Sequence, residues 1–105
     1  MRTIKELVGK EEKVYIVLKD KATQLRFQSN AEKEGITFGD GAKPTDRPVD
    51  DIMALKTDST ICFLGWAGRM CYHNRRERIL RVDYDKYVNG ESDYVIVKLK
   101  KSGVV

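Results

Sequence analysis

The segment from Lys13 to Lys19 (Lys-Val-Tyr-Ile-Val-Leu-Lys) constrains the fold more than any other stretch of this chain. Successive side chains of a strand point to opposite sides. Val14, Ile16 and Leu18 therefore share one side, and Tyr15 and Val17 share the other. A strand that is apolar on both sides needs an interior place in a sheet, with cover above and below. The 105 residues of the chain must supply those covering layers. That length suits one core, in which folding buries roughly two-thirds of the extended chain's surface. Residues 1–105 read as a single domain.

The elements around this strand are set by caps and turn residues. Thr3-Ile4-Lys5-Glu6 has the form of a capping box, and Gly9 limits the helix it starts to one or two turns. Asp20 can cap a helix from about Lys21 to Glu34 that stops at Gly35. Phe27 and Ala31 share a face of that helix with Thr23, while Leu25 lies nearly opposite. Ile36-Thr37-Phe38 reads as a short strand ended by the turn Gly39-Asp40-Gly41. Residues Ala42 to Asp50 hold both prolines, Pro44 and Pro48, and form a loop.

The second half reads as antiparallel sheet. Ile52 to Lys56 is a strand, succeeded by the turn Thr57-Asp58-Ser59. Thr60 to Leu64 and Arg69 to His73 flank Gly65-Trp66-Ala67-Gly68 and predict a hairpin turning at Trp66-Ala67. A further strand starts near Arg78, with Asp83 as an alternative cap for a short helix through Tyr87 and Val88. Tyr94 to Lys100 reads as a closing strand. The expected class is α+β, one main helix packed on a mostly antiparallel sheet of about five or six strands.

Composition removes several classes of function. The chain is 41% hydrophobic and 34% charged, too apolar for disorder and too evenly charged for a membrane protein. No run approaches the ~20 apolar residues that span a bilayer. The first residues lack the apolar core of a signal peptide, so a cytoplasmic location is expected. Exposed strand edges in so small a chain make a homodimer a plausible way to cover them.

The predicted hairpin sets Cys62 opposite Cys71. Directly opposed residues have Cα atoms about 4.5 to 5.5 Å apart, within disulfide range. Without a secretion signal, reduced thiols packed as small apolar groups are the leading reading. His73, the only histidine, falls on the same strand face as Cys71, so Cys62, Cys71 and His73 form a remote candidate for metal ligation. Their spacing fits no zinc motif, and no orienting third member or oxyanion hole makes either cysteine a nucleophile. Gly39-Asp40-Gly41 lacks the helix that a phosphate loop requires behind its glycines. No cofactor and no enzyme activity are expected.

Charge distribution carries the remaining signal. The net charge is +4, from 20 basic and 16 acidic residues. Residues 69–82 hold five arginines (Arg69, Arg75, Arg76, Arg78 and Arg81) against the single acid Glu77, a local balance of +4. Residues 32–58 hold seven acids and four bases. The planar fork of arginine binds phosphate or carboxylate in bidentate fashion, so the arginine segment is a candidate anion-binding surface, with a solvated charged edge as the plain alternative. Trp66 at the hairpin tip either folds back on the sheet or joins that surface, and Tyr72 is a second candidate for stacking.

Residues Phe27 to His73 resemble small α+β accessory proteins of phages and integrated mobile elements. The likeness rests on Ala31-Glu32-Lys33-Glu34-Gly35, Ile36-Thr37-Phe38, a Gly-containing turn, Lys43-Pro44-Thr45, and the pieces Ile61 to Leu64 and Met70 to His73. It implies an accessory role in a mobile element and transfers no site residue. Taken together, the sequence favours a non-enzymatic binding module whose partner is nucleic acid. The alternative is an inhibitory, anti-defence type of module that docks on an acidic protein.

Overall fold

The computed structural model describes residues 2–73 and 78–97. Strand β1 (Lys13–Val17), the segment that is apolar on both sides, takes an interior position in the sheet. Helix α1 (Lys21–Lys33) comes next, then strands β2 (Thr37–Phe38), β3 (Ile52–Leu55) and β4 (Thr60–Phe63), helix α2 (Gly65–Tyr72), strand β5 (Ile79–Asp83) and helix α3 (Tyr84–Val88). A short 3-10 turn (Lys5–Leu7) precedes β1. The strands form one sheet in the order β2-β4-β3-β1-β5.

Local chemistry accounts for the first half. The Asp20 carboxylate accepts from the Thr23 amide at 2.9 Å and from the Thr23 hydroxyl at 2.8 Å, fixing the start of α1. At its other end the Ile36 amide donates to the Ala31 carbonyl at 3.0 Å and the Gly35 amide to that of Glu32 at 3.0 Å. This is the Schellman pattern, and it needs the left-handed φ of +77° that Gly35 supplies. Glu34, beside it, accepts from the Ile4 and Lys5 amides at 2.9 Å each and so caps the 3-10 turn. The expected Thr3–Glu6 box is half formed: Glu6 accepts from the Thr3 amide at 2.8 Å and the Thr3 hydroxyl at 2.9 Å.

The sheet is mixed rather than mostly antiparallel. β3 pairs antiparallel with both β1 and β4, but β5 runs parallel to β1 and β2 parallel to β4. Parallel pairing of β1 with β5 and of β2 with β4 results from two helical crossovers, β1-α1-β2 and β4-α2-β5. They cross the sheet in opposite directions and lie on opposite faces, as a shared crossover hand requires. The strand order is symmetric about β3: a half-turn along β3 exchanges the two units.

The two faces are unequally covered. On the α1 face, Phe27 and Ala31 pack with Val14, Ile16, Met53, Leu55, Ile61 and Val82. The 3-10 turn adds Ile4 and Leu7, and α3 adds Tyr87 and Val88. On the opposite face the core is small: Tyr15, Ile52, Leu64 and Tyr72, with α2 as its helical cover.

The expected hairpin is replaced by a strand and a helix. Gly65 takes a φ of +66°, which turns the chain directly from β4 into α2. Trp-Ala-Gly-Arg-Met-Cys-Tyr contains no β-branched residue and includes Ala, Arg and Met, all favourable in helices. Cys62 and Cys71 are therefore not cross-strand partners. Cys62 lies on β4 opposite Ala54 of β3, Cys71 lies on α2, and both thiols are free. The helix expected as an alternative after Asp83 is present as α3, with Asp83 accepting from the Lys86 amide at 3.3 Å. Of the closing strand, the described part forms an antiparallel bridge between Val95 and Val82, and residues 98–100 lie outside the described residues.

Candidate contact surface on α2

Helix α2 starts at the end of β4 and must reach the start of β5 at the opposite end of the sheet. Leu64, at its N-cap, and Tyr72, in its last turn, face the sheet, and Tyr72 stacks on Tyr15 of β1 with ring centroids 6.0 Å apart. Burial pushes the Tyr72 phenol up, with Asp51 acting in the same direction and Arg81 opposing it. Tyr72 is thus a core residue and not part of a stacking surface.

Trp66 and Met70 are four residues apart and share the opposite side of the helix. Trp66 is 79% exposed and Met70 57% exposed. Phe63, at the end of β4 just before the helix, is partly exposed and stacks on buried Phe38 at 5.6 Å, while the Arg47 guanidinium lies 4.5 Å from the Phe38 ring centre. Eight-residue α2 leaves parts of β3 and β4 uncovered. A groove of about 400 Å³ opens there, with Tyr15, Ala54, Cys62, Leu64 and Gly68 along it and Glu12, Lys13, Lys56 and Asp58 also lining it. Gly68 stands close to Leu64: a Cβ there would meet the Leu64 Cβ at 2.8 Å.

The arginines are distributed differently. Arg69 donates to Asp51 at 2.7 Å, with Asp50 3.9 Å away, and the hydrogen bond to Asp51 raises the Arg69 pKa above its ordinary value. Arg78 pairs with Glu11 at 3.3 Å and Glu12 at 4.0 Å. Arg81 donates through Nε to the Tyr72 carbonyl at 2.8 Å and lies over the Tyr72 ring at 5.2 Å, closing the C-terminal end of α2. Arg75 and Arg76 lie outside the described residues. Each of the three described arginines thus engages an oxygen from this same chain.

The Cys62, Cys71 and His73 candidates are not brought together. Cys62 borders the groove. The Lys13 ammonium donates to the Cys71 sulfur at 3.5 Å, and His73 ends α2 with its ring edge-on to Tyr72 at 5.1 Å. Among the described residues no group of three or more His, Cys, Asp or Glu side chains is placed to hold a metal ion. No described helix is long and apolar enough to cross a membrane.

Met70 and the groove are the parts of this surface that sequence reasoning missed. The signal was the spacing of Trp66 and Met70, which places them on one side of a helix but on opposing strands of a hairpin. No family model matches the chain, and no curated protein or solved structure matches it.

Proposed function

We propose that this chain is a small, non-catalytic binding protein that engages a protein partner through the outer side of α2 and the groove beside it. The observation that carries this reading is the exposure of Trp66 and Met70, 79% and 57%, one turn apart on the same helix. Contiguous exposed apolar surface marks contact sites, and tryptophan is the residue most enriched among those that dominate binding energy. The pairing of Arg69, Arg78 and Arg81 with oxygens of the same chain supports reading this apolar surface ahead of the basic one. The resemblance to accessory proteins of mobile elements supports an inhibitory use of such a contact.

Affinity capture from a cell lysate, with wild type beside the Trp66→Ala/Met70→Ala variant, tests the proposal. A stoichiometric protein retained by wild type and lost from the variant is the expected result. Equal retention by both would remove α2 as the contact.

Nucleic acid remains the second reading, favoured by Arg75 and Arg76, which come directly after α2 in sequence. It requires a gel shift that weakens steeply with salt, since each neutralised phosphate releases counterions. Arg75→Ala/Arg76→Ala should abolish that shift and Trp66→Ala should only weaken it. An absence of any shift at low salt excludes the reading.

A further inference from the structure

We infer that residues 92–97 form a strap over the outer edge of β5 and that Arg2 is the latch that keeps it closed. An open strand edge is a template for pairing with another chain, so the edges of a small sheet need cover. At one edge of this sheet β2 is only two residues long, but β5 at the other edge has five. The Asp83 amide donates to the Tyr94 carbonyl at 2.8 Å, the Ile96 amide donates to the Arg81 carbonyl at 2.8 Å, and Val95 lies opposite Val82. Within the described residues, the backbone pairing of the strap with β5 ends there. Val95 is 37% exposed and Val97 83%, so the strap buries little apolar surface of its own.

Tyr94 is what anchors it. Its half-buried ring meets Tyr87 of α3 edge-on, with ring centres 4.9 Å apart. The Arg2 guanidinium lies against both rings, 4.8 Å from the centre of Tyr94 and 5.4 Å from that of Tyr87. Nη1 of the same group donates to the Tyr87 carbonyl at 3.1 Å and to the Glu91 carbonyl at 2.6 Å. One side chain thus joins the last turn of α3, the turn after it and the strap. The attraction of a cation for a ring face strengthens where water is partly excluded, as it is beside buried Tyr87. The Lys86–Asp93 pair at 3.0 Å also spans α3 and the strap, but both side chains are exposed and water screens it. The chain leaves α3 through Gly90 at a φ of +85°, a hinge that turns without steric cost. With the latch released, the strap swings on that hinge, and the Arg81 carbonyl and Asp83 amide lose their partners. The latch thereby switches β5 between a covered strand and a template for an incoming one.

Native-state hydrogen exchange, followed amide by amide, tests the inference with wild type, Arg2→Ala, Tyr94→Phe and Tyr94→Ala. Opening of the strap frees the Asp83 and Ile96 amides together, so the two should share one protection factor once intrinsic rates are corrected for. Arg2→Ala should lower both by about tenfold. The Lys56 amide, bonded to the Thr60 carbonyl across β3 and β4, should keep its wild-type rate. Tyr94→Phe keeps the ring and should match wild type, while Tyr94→Ala should match Arg2→Ala. Unchanged protection of Asp83 and Ile96 in Arg2→Ala overturns the inference. A loss shared equally by Lys56 overturns it too, because Arg2 would then stabilise the whole fold and latch nothing. Unequal losses at Asp83 and Ile96 overturn the strap as one moving body.

Discussion

Ser59 holds a φ of +65°, the left-handed conformation that costs a residue with a Cβ roughly 1–2 kcal/mol. It sits in the turn between β3 and β4, where the Ser59 amide donates to the Lys56 carbonyl at 3.0 Å and the Lys56 amide to that of Thr60 at 2.8 Å. Asp58 holds the same turn by accepting from the Thr60 hydroxyl at 2.6 Å. Replacing Ser59 by Gly removes the steric cost and adds unfolded-state entropy, for a net gain of about 0.5–1 kcal/mol in a denaturant titration. An unchanged or lower midpoint would show that the turn is not strained. Asp20 makes a different prediction. The Thr23 amide and hydroxyl hold its carboxyl below the usual carboxylate range. A folded-state pKa that is depressed contributes stability that is complete above the unfolded-state value and lost as pH falls through the folded one. Thermal melts should therefore lose midpoint below about pH 4. Asp20→Asn, which keeps an accepting oxygen but does not titrate, should lose less over the same range.

The two sides of α2 do opposite things, and mutations should separate them. Tyr72→Ala removes a buried ring stacked on Tyr15 and should cost about 3–5 kcal/mol. Met70→Ala, on the outer side, should change stability by less than about 0.5 kcal/mol. Urea titration of the two variants checks this, and a large loss for Met70→Ala would mean that the outer side is part of the fold. α2 is also where sequence reading failed. Gly65 and Gly68 look like punctuation for a hairpin, yet Gly65 turns the chain into the helix and Gly68 lies inside it. The alternation of Leu64, Tyr72 and Trp66 about the helix axis fits a period of 3.6 residues, but eight residues are too few for that period to stand out against a strand. α1 was legible because Asp20 and Gly35 mark both ends chemically. β1 was legible because a strand apolar on both sides has one physical solution. The parallel pairing of β5 with β1 was not, because nothing local in Leu80 or Val82 encodes which neighbour a strand will take. The arginines were visible as a cluster in sequence, but their carboxylate partners, Asp51 for Arg69 and Glu11 for Arg78, lie far off along the chain.

At the scale of the molecule, two crossovers of equal topology have unequal cover. The α1 face carries thirteen helical residues together with the 3-10 turn and α3, and the α2 face carries eight. That imbalance leaves the groove open on the α2 face. The chain's beginning is tied to α3: the Tyr87 hydroxyl donates to the Thr3 carbonyl at 2.6 Å, and Arg2 lies 4.8 Å from the Tyr94 ring centre. Burial pushes the Tyr87 phenol up to about 12 from an ordinary value of 10. A raised folded-state pKa contributes stability that is present below the unfolded value and lost as pH rises through the folded one, so the fold should weaken between pH 10 and about 12. Ultraviolet titration of tyrosinate alongside circular dichroism checks this, and full tyrosine ionisation near pH 10 without unfolding would contradict it. The most direct measurement of the central claim uses Trp66, the only tryptophan in the chain, so that its fluorescence reports this surface alone. On addition of the protein retained from the lysate by wild type, its emission should shift to shorter wavelength and become shielded from a soluble quencher. A Trp66 that stays fully exposed to quencher in that complex would place the contact elsewhere and contradict the account.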